Sequence, residues 1–331
     1  MRVLVTGGTG FLGGFLVRRL LAERVEVRLL VRPTSHLQAG VESATELAQG
    51  DLRDEESLAR AVKDMEVVYH CAARVDTPGT KSEFFECNVT GTENLLKVSL
   101  RSGVRRFVYV SSLGVYNRPS RDQCIDEDTP FDDGPELRGH YAHTKILADR
   151  LAQSFAQKTG LPVRILRPGL IYGPGRDLPA GLFAFHKGRW CIVVGRRDCL
   201  LPLNYVENTV DALFLAARLD KGGLVHFNLI DDEELTLGRY HEIRSRIDRT
   251  RALFVPGWPF HLAAPVAQWL GHVLPNERLA NLSRHQIERT LQSVRYDTRR
   301  IRRELGWQPQ VPLERALLGI QRSASSFERR E

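Results

Sequence analysis

Eight residues near the start of the chain, Thr6-Gly7-Gly8-Thr9-Gly10-Phe11-Leu12-Gly13, constrain the fold more than any others. The apolar run Arg2–Thr6 before them reads as a buried strand. Phe11–Glu23 after them has helical spacing, with Leu12, Phe15, Leu16, Arg19 and Leu20 along one side. Gly7, Gly10 and Gly13 therefore stand in the turn from strand to helix. A tight turn, a close approach of backbone to phosphate and a helix packed near its strand each favour a residue without Cβ. The helix N-terminus then offers free N–H groups to an anion. This points to a dinucleotide pyrophosphate, with Gly7, Thr9, Gly10, Phe11, Leu12 and Gly13 as candidate contacts.

The following segments repeat the same unit. Strands are expected at Val25–Val31, ending at Ala48–Asp51, and at Val67–His70, Phe107–Ser111 and Val163–Arg167. Helices are expected at Glu55–Lys63, Phe84–Ser102 and Tyr141–Thr159. Strands alternating with helices predict an α/β fold, a doubly wound parallel sheet of Rossmann type with helices on both faces. After Gly169 the pattern loosens. A helix at Asn208–Leu219 and a short one at Ile301–Leu305 remain legible. With 331 residues and about 150 per domain, two lobes are expected. Residues 1–170 form the dinucleotide-binding domain, to which about 203–230 return. Residues 171–331 form mainly a smaller C-terminal substrate lobe, whose specificity is expected from residues 173–201.

Composition narrows the class. With 42% hydrophobic and 26% charged residues the chain is neither collagenous nor disordered. Five Cys, an odd number without framework spacing, read as reduced thiols, so a cytoplasmic protein is expected. The start runs straight into MRVLVTGG, and no signal peptide is expected. The net charge of +7 comes from scattered Arg, with small clusters at Arg244–Arg251 and Arg299–Arg303, which reads as solvated surface and not as a nucleic-acid face. Ala252 to Asn276 lacks Asp, Glu, Lys and Arg, but Pro256, Gly257, Pro259, His261, Pro265 and His272 interrupt it. A buried helix pair or an apolar lip over a substrate pocket is expected there, and membrane association is not.

Further cofactor contacts fall at the other strand ends. An acidic residue after the second strand would bind the ribose of NAD, but the chain reads Val31-Arg32-Pro33-Thr34-Ser35. Arg32 suits a 2′-phosphate, so NADP is preferred and NAD is the alternative. Asp51 and Leu52 are expected around adenine, or Asp51 caps a helix. Ala72 and Ala73 let ribose and phosphates pass close to the backbone. Cys71 reads as a packed thiol.

Tyr141-Ala-His-Thr-Lys145 opens a helix, and its i, i+4 spacing sets Tyr141 and Lys145 on one face. A nearby ammonium lowers the phenol pKa, so Tyr141 can exchange a proton with a substrate oxygen. Lys145 can also hold the nicotinamide ribose. Ser112, after the fifth strand, is placed to orient that oxygen, or else caps a turn. Ser111 is the more buried candidate. Asn88 is expected to hold main-chain groups or a water near the site. No metal site is expected.

At this point the chain resembles the extended short-chain dehydrogenase/reductase family, which includes NAD(P)-dependent epimerases and dehydratases. The carriers are TGGTGFLG (6–13), GDL (50–52), HCAA (70–73), NVTGT (88–92), YVSS (109–112), YAHTK (141–145), RPGLIYGPG (167–175), YVENTVDA (205–212) and DTRRIRRELGW (297–307). The resemblance implies a Ser112–Tyr141–Lys145 triad and nicotinamide contacts from Pro168, Gly169 and Ile171. It also implies a homodimer through helices starting near Phe84 and Tyr141. Dehydratases of the family carry an acid pair where this chain has Leu113-Gly114. Many nucleotide-sugar members carry Arg-Asp where it has Leu201-Pro202. That Arg binds a diphosphate; here only Arg176, Arg189, Arg196 or Arg197 could replace it, and these read rather as plain surface charge. The expected activity is therefore hydride transfer with a moderately hydrophobic alcohol or ketone. A nucleotide-sugar 4-epimerase and a non-catalytic NADP sensor are the alternatives.

Overall fold

A computed structural model describes residues 1–35, 41–75, 79–117, 124–134, 138–176, 184–187, 189–256 and 293–327. The glycine turn sits where two buried elements meet. Strand β1 (Arg2–Thr6) leads through it into α1 (Phe11–Ala22), then β2 (Glu26–Val31), β3 (Glu46–Gln49), α2 (Glu55–Val62) and β4 (Val67–His70). A broken helix follows: α3 (Lys81–Phe85), a π-helical segment at Glu86–Thr90, and α4 (Gly91–Arg101). Next come β5 (Arg106–Val110), the short strand β6 (Cys124–Ile125), α5 (Gly139–Thr159), β7 (Val163–Pro168) and β8 (Leu170–Tyr172). Strands β9 (Ala184–Lys187), β10 (Trp190–Val194) and β11 (Leu203–Tyr205) precede α6 (Val206–Arg218) and β12 (Leu224–Leu229). The chain ends with α7 (Leu237–Asp248), β13 (Arg251–Val255), β14 (Arg295–Tyr296), α8 (Arg299–Leu305) and α9 (Leu313–Phe327).

Seven strands form one sheet in the order β12-β7-β5-β4-β1-β2-β3, and every neighbouring pair is parallel. This is the doubly wound arrangement. The order reverses between β1 and β4, and the crevice outside the strand C-termini at that point is where such sheets bind ligands. Leu16, Val17 and Leu20 of α1 pack on one face with α6 residues such as Leu213 and Phe214. Leu58, Leu95, Leu96, Ala148 and Ala152 of α2, α4 and α5 fill the other. The middle strands are buried on both sides, which is why they read as unbroken apolar runs.

Several elements differ from the sequence reading. The expected helix Phe84–Ser102 starts three residues earlier and carries the π segment. Gly91 sits at its exit, where a Cβ would lie 2.7 Å from Leu52 Cβ. Of the stretch from Ala252, expected as a buried helix pair or an apolar lip, the described part is not helix but strand β13, paired in parallel with β10 and with Ala252 and Phe254 against Cys191 and Leu237. The rest of the charge-free stretch, from residue 257 on, lies outside the described residues. No helix among the described residues is long and apolar enough to cross a membrane.

The C-terminal segment is fastened through Asn208 in α6. Its Oδ1 accepts from the Gln310 and Val311 amides, each at 3.0 Å, and its Nδ2 donates to the Val311 carbonyl at 3.0 Å. The Asn208 carbonyl accepts from the Trp307 indole N–H at 3.0 Å.

Candidate active site

The glycine turn has the geometry its sequence calls for. Gly7 adopts φ +72°, and a Cβ on it would stand 2.7 Å from the Ala72 nitrogen. A Cβ on Gly13 would fall 2.0 Å from the Gly7 carbonyl oxygen. Gly10 caps α1 in extended conformation, with no side-chain cap and no acidic residue in the first turn. The first N–H groups of α1, on Phe11 and Leu12 among others, therefore face the crevice without a competing carboxylate. This cradle fits a pyrophosphate. Thr9 lies in the same turn.

Thr6 and His70 lock the cradle to the end of β4. The Thr6 hydroxyl lies 2.7 Å from His70 Nδ1 and accepts from the Ala72 amide at 3.3 Å. His70 Nε2 lies 2.9 Å from the Thr92 hydroxyl. Burial pushes His70 down to about 3, with the Lys145 charge adding to the effect, so the ring is a neutral spacer. Burial likewise pushes the Cys71 thiol up to about 12, which agrees with a packed thiol. Ala73 follows in the same loop. Asn88 lies in the π segment and clamps this loop. Its Oδ1 accepts from the Arg74 amide at 2.7 Å, and its Nδ2 donates to the Arg74 carbonyl at 3.1 Å and to the Thr144 hydroxyl at 3.0 Å. Asn88 thus holds main-chain groups and joins the loop to the head of α5.

At the other end of the crevice, Arg32 is exposed in a turn closed by hydrogen bonds with Ser35. Asp51 accepts from the Arg53 side chain at 2.8 and 3.0 Å and from its amide at 3.0 Å. Those bonds, with the Arg32 charge also acting on it, hold the Asp51 carboxyl below its usual range. Asp54, not Asp51, caps α2. Leu52 is buried, with its carbonyl held by Asn94.

Tyr141 and Lys145 stand one turn apart at the head of α5. Lys145 is buried; its Nζ donates to the Val110 carbonyl at 2.7 Å and to the Tyr109 phenol at 3.0 Å. Burial pulls its pKa down to about 8, against the opposing charge of Asp149. Ser112 is half-buried just after β5, and its Oγ accepts from the Gly114 amide at 3.0 Å, so the hydroxyl caps a tight turn at the C-terminal end of the strand. Ser111 points inward and donates to Asp149 at 2.5 Å. Asp149 forms a fully buried bidentate pair with Arg167, at 2.9 Å on both oxygens. Arg167 Nη1 in turn donates to Tyr116 Oη at 2.6 Å, and that phenol donates to Asn228 Oδ1 at 2.6 Å.

Sequence reasoning passed over Tyr109, Asp149 and Arg167. A signal existed for Asp149, which continues the i, i+4 face of Tyr141 and Lys145. Arg167 directly precedes Pro168 and Gly169. The Gly169 amide is held by Asn204 Oδ1 at 2.7 Å, and Ile171 lies half-buried in β8 beside them. Of the four arginines considered for a diphosphate, Arg196 pairs with Asp198 and Arg197 stacks on Phe254. Arg176 lies over the Phe11 ring, 5.9 Å from its centroid, beside the cradle. Arg189 is exposed.

The chain is similar to known proteins in sequence and in fold. Residues 3–229 match the NAD dependent epimerase/dehydratase family. The chain is 36% identical over 225 residues to a 3 beta-hydroxysteroid dehydrogenase/Delta 5-->4-isomerase of Mycobacterium tuberculosis, covering 65% of this chain and 60% of that one. It is 33% identical over 319 residues to sterol demethylase protein B of Methylococcus capsulatus, covering 93% and 94%. The crystal structure of gox2253 superposes with a TM-score of 0.81 at 26% identity, over 99% of this chain and 98% of the other.

Proposed function

The chain belongs to the NAD-dependent epimerase/dehydratase family, and from that premise we propose that it is an NAD(P)-dependent oxidoreductase acting on an apolar secondary alcohol or its ketone, of sterol or steroid kind. One observation carries this reading. A buried ammonium, Lys145, sits one helical turn from Tyr141 beside the glycine cradle. The two relatives named for steroid and sterol substrates support the substrate class. Tyr141 exchanges a proton with the substrate oxygen. Lys145 favours the phenolate and binds the ribose hydroxyls, and Ser112 orients the oxygen. Pro168, Gly169 and Ile171 border the nicotinamide, which supplies or accepts the hydride when bound. Asp51 and Leu52 border the adenine. We assign residues 1–170, with about 203–230, to dinucleotide binding and 171–331 mainly to the substrate.

The 2′-phosphate preference rests on charge. Arg53 is shared between Asp51 and Glu86, so Arg32, exposed after β2, is the cation available to a 2′-phosphate. NADPH is expected to bind more tightly than NADH, and Arg32→Asp to reverse the order. Equal affinities for the two cofactors by fluorescence titration would sink this.

The activity is tested with 3-hydroxysteroids and their ketones, by following the nicotinamide absorbance. Turnover is expected, and Tyr141→Phe should lower kcat by about 10²–10⁴-fold. Release of a tightly held NAD on denaturation, with no exchange into added NADPH and no net turnover, would overturn the reading. A 4-epimerase that recycles its cofactor would then lead.

A further inference from the structure

A buried ammonium needs acceptors for its protons, because desolvation otherwise drives it neutral. Two acceptors for Lys145 come from consecutive residues of β5, the Tyr109 phenol and the Val110 carbonyl. A main-chain carbonyl is fixed by its strand. The phenol is fixed too, by packing. Tyr109 is 1% exposed, and its ring stacks on His70 with centroids 5.5 Å apart and planes at 24°. His70 is held at both nitrogens by Thr6 and Thr92. Lys145 Nζ also lies 4.5 Å from the centroid of the Tyr109 ring, within cation–π range. A chain of fixed groups therefore runs from Thr6, the residue before the glycine cradle, through His70 and Tyr109 to Lys145.

On the reading of Tyr141 and Lys145 given above, we infer that Tyr109 is a further positioning residue of the reaction: its fixed phenol oxygen aims the Lys145 ammonium and keeps it charged. With Tyr109 and Val110 each taking one proton, a third is left to point at the reacting groups.

Among the described residues, few charged or titratable groups surround Lys145. Asp149 and Tyr141 share its helix. Cys71 and His70 belong to the end of β4, Cys87 to the π segment and Tyr109 to β5. Burial holds His70, Cys71, Cys87 and Tyr109 neutral, so among these four no anion faces the ammonium. Asp149 is an anion, but it is committed to Arg167. The dipolar acceptors Tyr109 and Val110 therefore matter more here than they would beside a free carboxylate.

Tyr109→Phe keeps the ring on His70 and removes the oxygen alone. In protein with carbon-labelled lysine and no added cofactor, the NMR titration midpoint of Lys145 should fall by about one pH unit, a tenfold change in proton affinity. With cofactor and steroid, kcat should fall about 10–100-fold, the loss of one hydrogen bond to a charged group. The alkaline limb of its pH profile should move to lower pH. A midpoint and a pH profile both superposable on those of the parent protein would overturn the inference. Should Tyr109→Phe melt below assay temperature, a fluorotyrosine at position 109 keeps the shape and weakens the acceptor. A shift in the same direction supports the inference, and none overturns it. If Tyr141→Phe abolishes turnover while Tyr109→Phe changes nothing, this inference alone fails. If Tyr141→Phe retains full turnover, the reading beneath it fails as well.

Discussion

Asp149 and Arg167 have no exposed side-chain surface, so neither charge can fall back on water if its partner is lost. Asp149→Asn leaves the Arg167 guanidinium buried without its anion and should cost about 3–5 kcal/mol in urea unfolding. Ser111→Ala removes only one arm of the network and should cost about 1–2 kcal/mol. The same groups set the acid limit. Burial raises the Asp149 pKa, but the Arg167 charge and hydrogen bonds from Arg167, Ser111 and Gln153 outweigh it and hold the carboxyl below its ordinary range. Its stabilising effect is present above the unfolded carboxylate pKa and is lost as pH falls through the folded value. His70 acts in the same pH direction. Its pKa drops from 6.5 to about 3, so the unfolded chain binds a proton that the native protein refuses, and stability drains away between those two pH values. Melting temperature should fall as pH is lowered from 6.5, with a shallower slope in His70→Gln; an unchanged slope would count against this account. Tyr141 and Lys145 were legible in the sequence because a spacing of four on a helix fixes a shared face. Tyr109 was not, since its partner lies on another element and a tyrosine in an apolar strand reads as core.

Gly13→Ala tests the turn from β1 into α1 as a unit. The added Cβ would meet the Gly7 carbonyl oxygen, a backbone atom that cannot swing aside. Cofactor affinity by fluorescence titration should fall at least tenfold while far-ultraviolet circular dichroism stays helical. The π segment offers a second test, because its extra residue per turn sets Asn88 toward the Arg74 backbone. Asn88→Ala frees that loop from α5. It should raise the cofactor Kd and speed amide exchange at Arg74, with smaller effects on α4. Strands β1, β2, β4, β5 and β7 were legible because strands buried on both faces read as continuous apolar runs, whereas of the exposed β3 only the end was. The π segment was not, since one extra residue leaves the apolar spacing of a long helix nearly intact. Strands β6, β8 and β10 to β14 were not, because each is placed by a partner far away in sequence, as Trp190 is by Arg251.

Across the whole molecule, the strand order places Thr6, His70, Val110 and Pro168 at the same edge of one sheet, although they are far apart in sequence. That convergence followed from the alternation of strands and helices, whereas the C-terminal contacts left no local trace. At this scale we expect a homodimer, joined by the helices that begin with α3 and with α5. Sedimentation at micromolar concentration showing monomer alone would refute it. The strap at Asn208 also has a meaning in time. Its indole partner Trp307 lies 99 residues further along the chain. At about 5–20 residues per second, a ribosome delivers that partner roughly 5–20 s after Asn208. Until then the Asn208 Oδ1 lacks the Gln310 and Val311 amides from which it accepts in the finished protein, while its Nδ2 already has Asp231 within reach. Any factor that guards this protein during synthesis has that window in which to act.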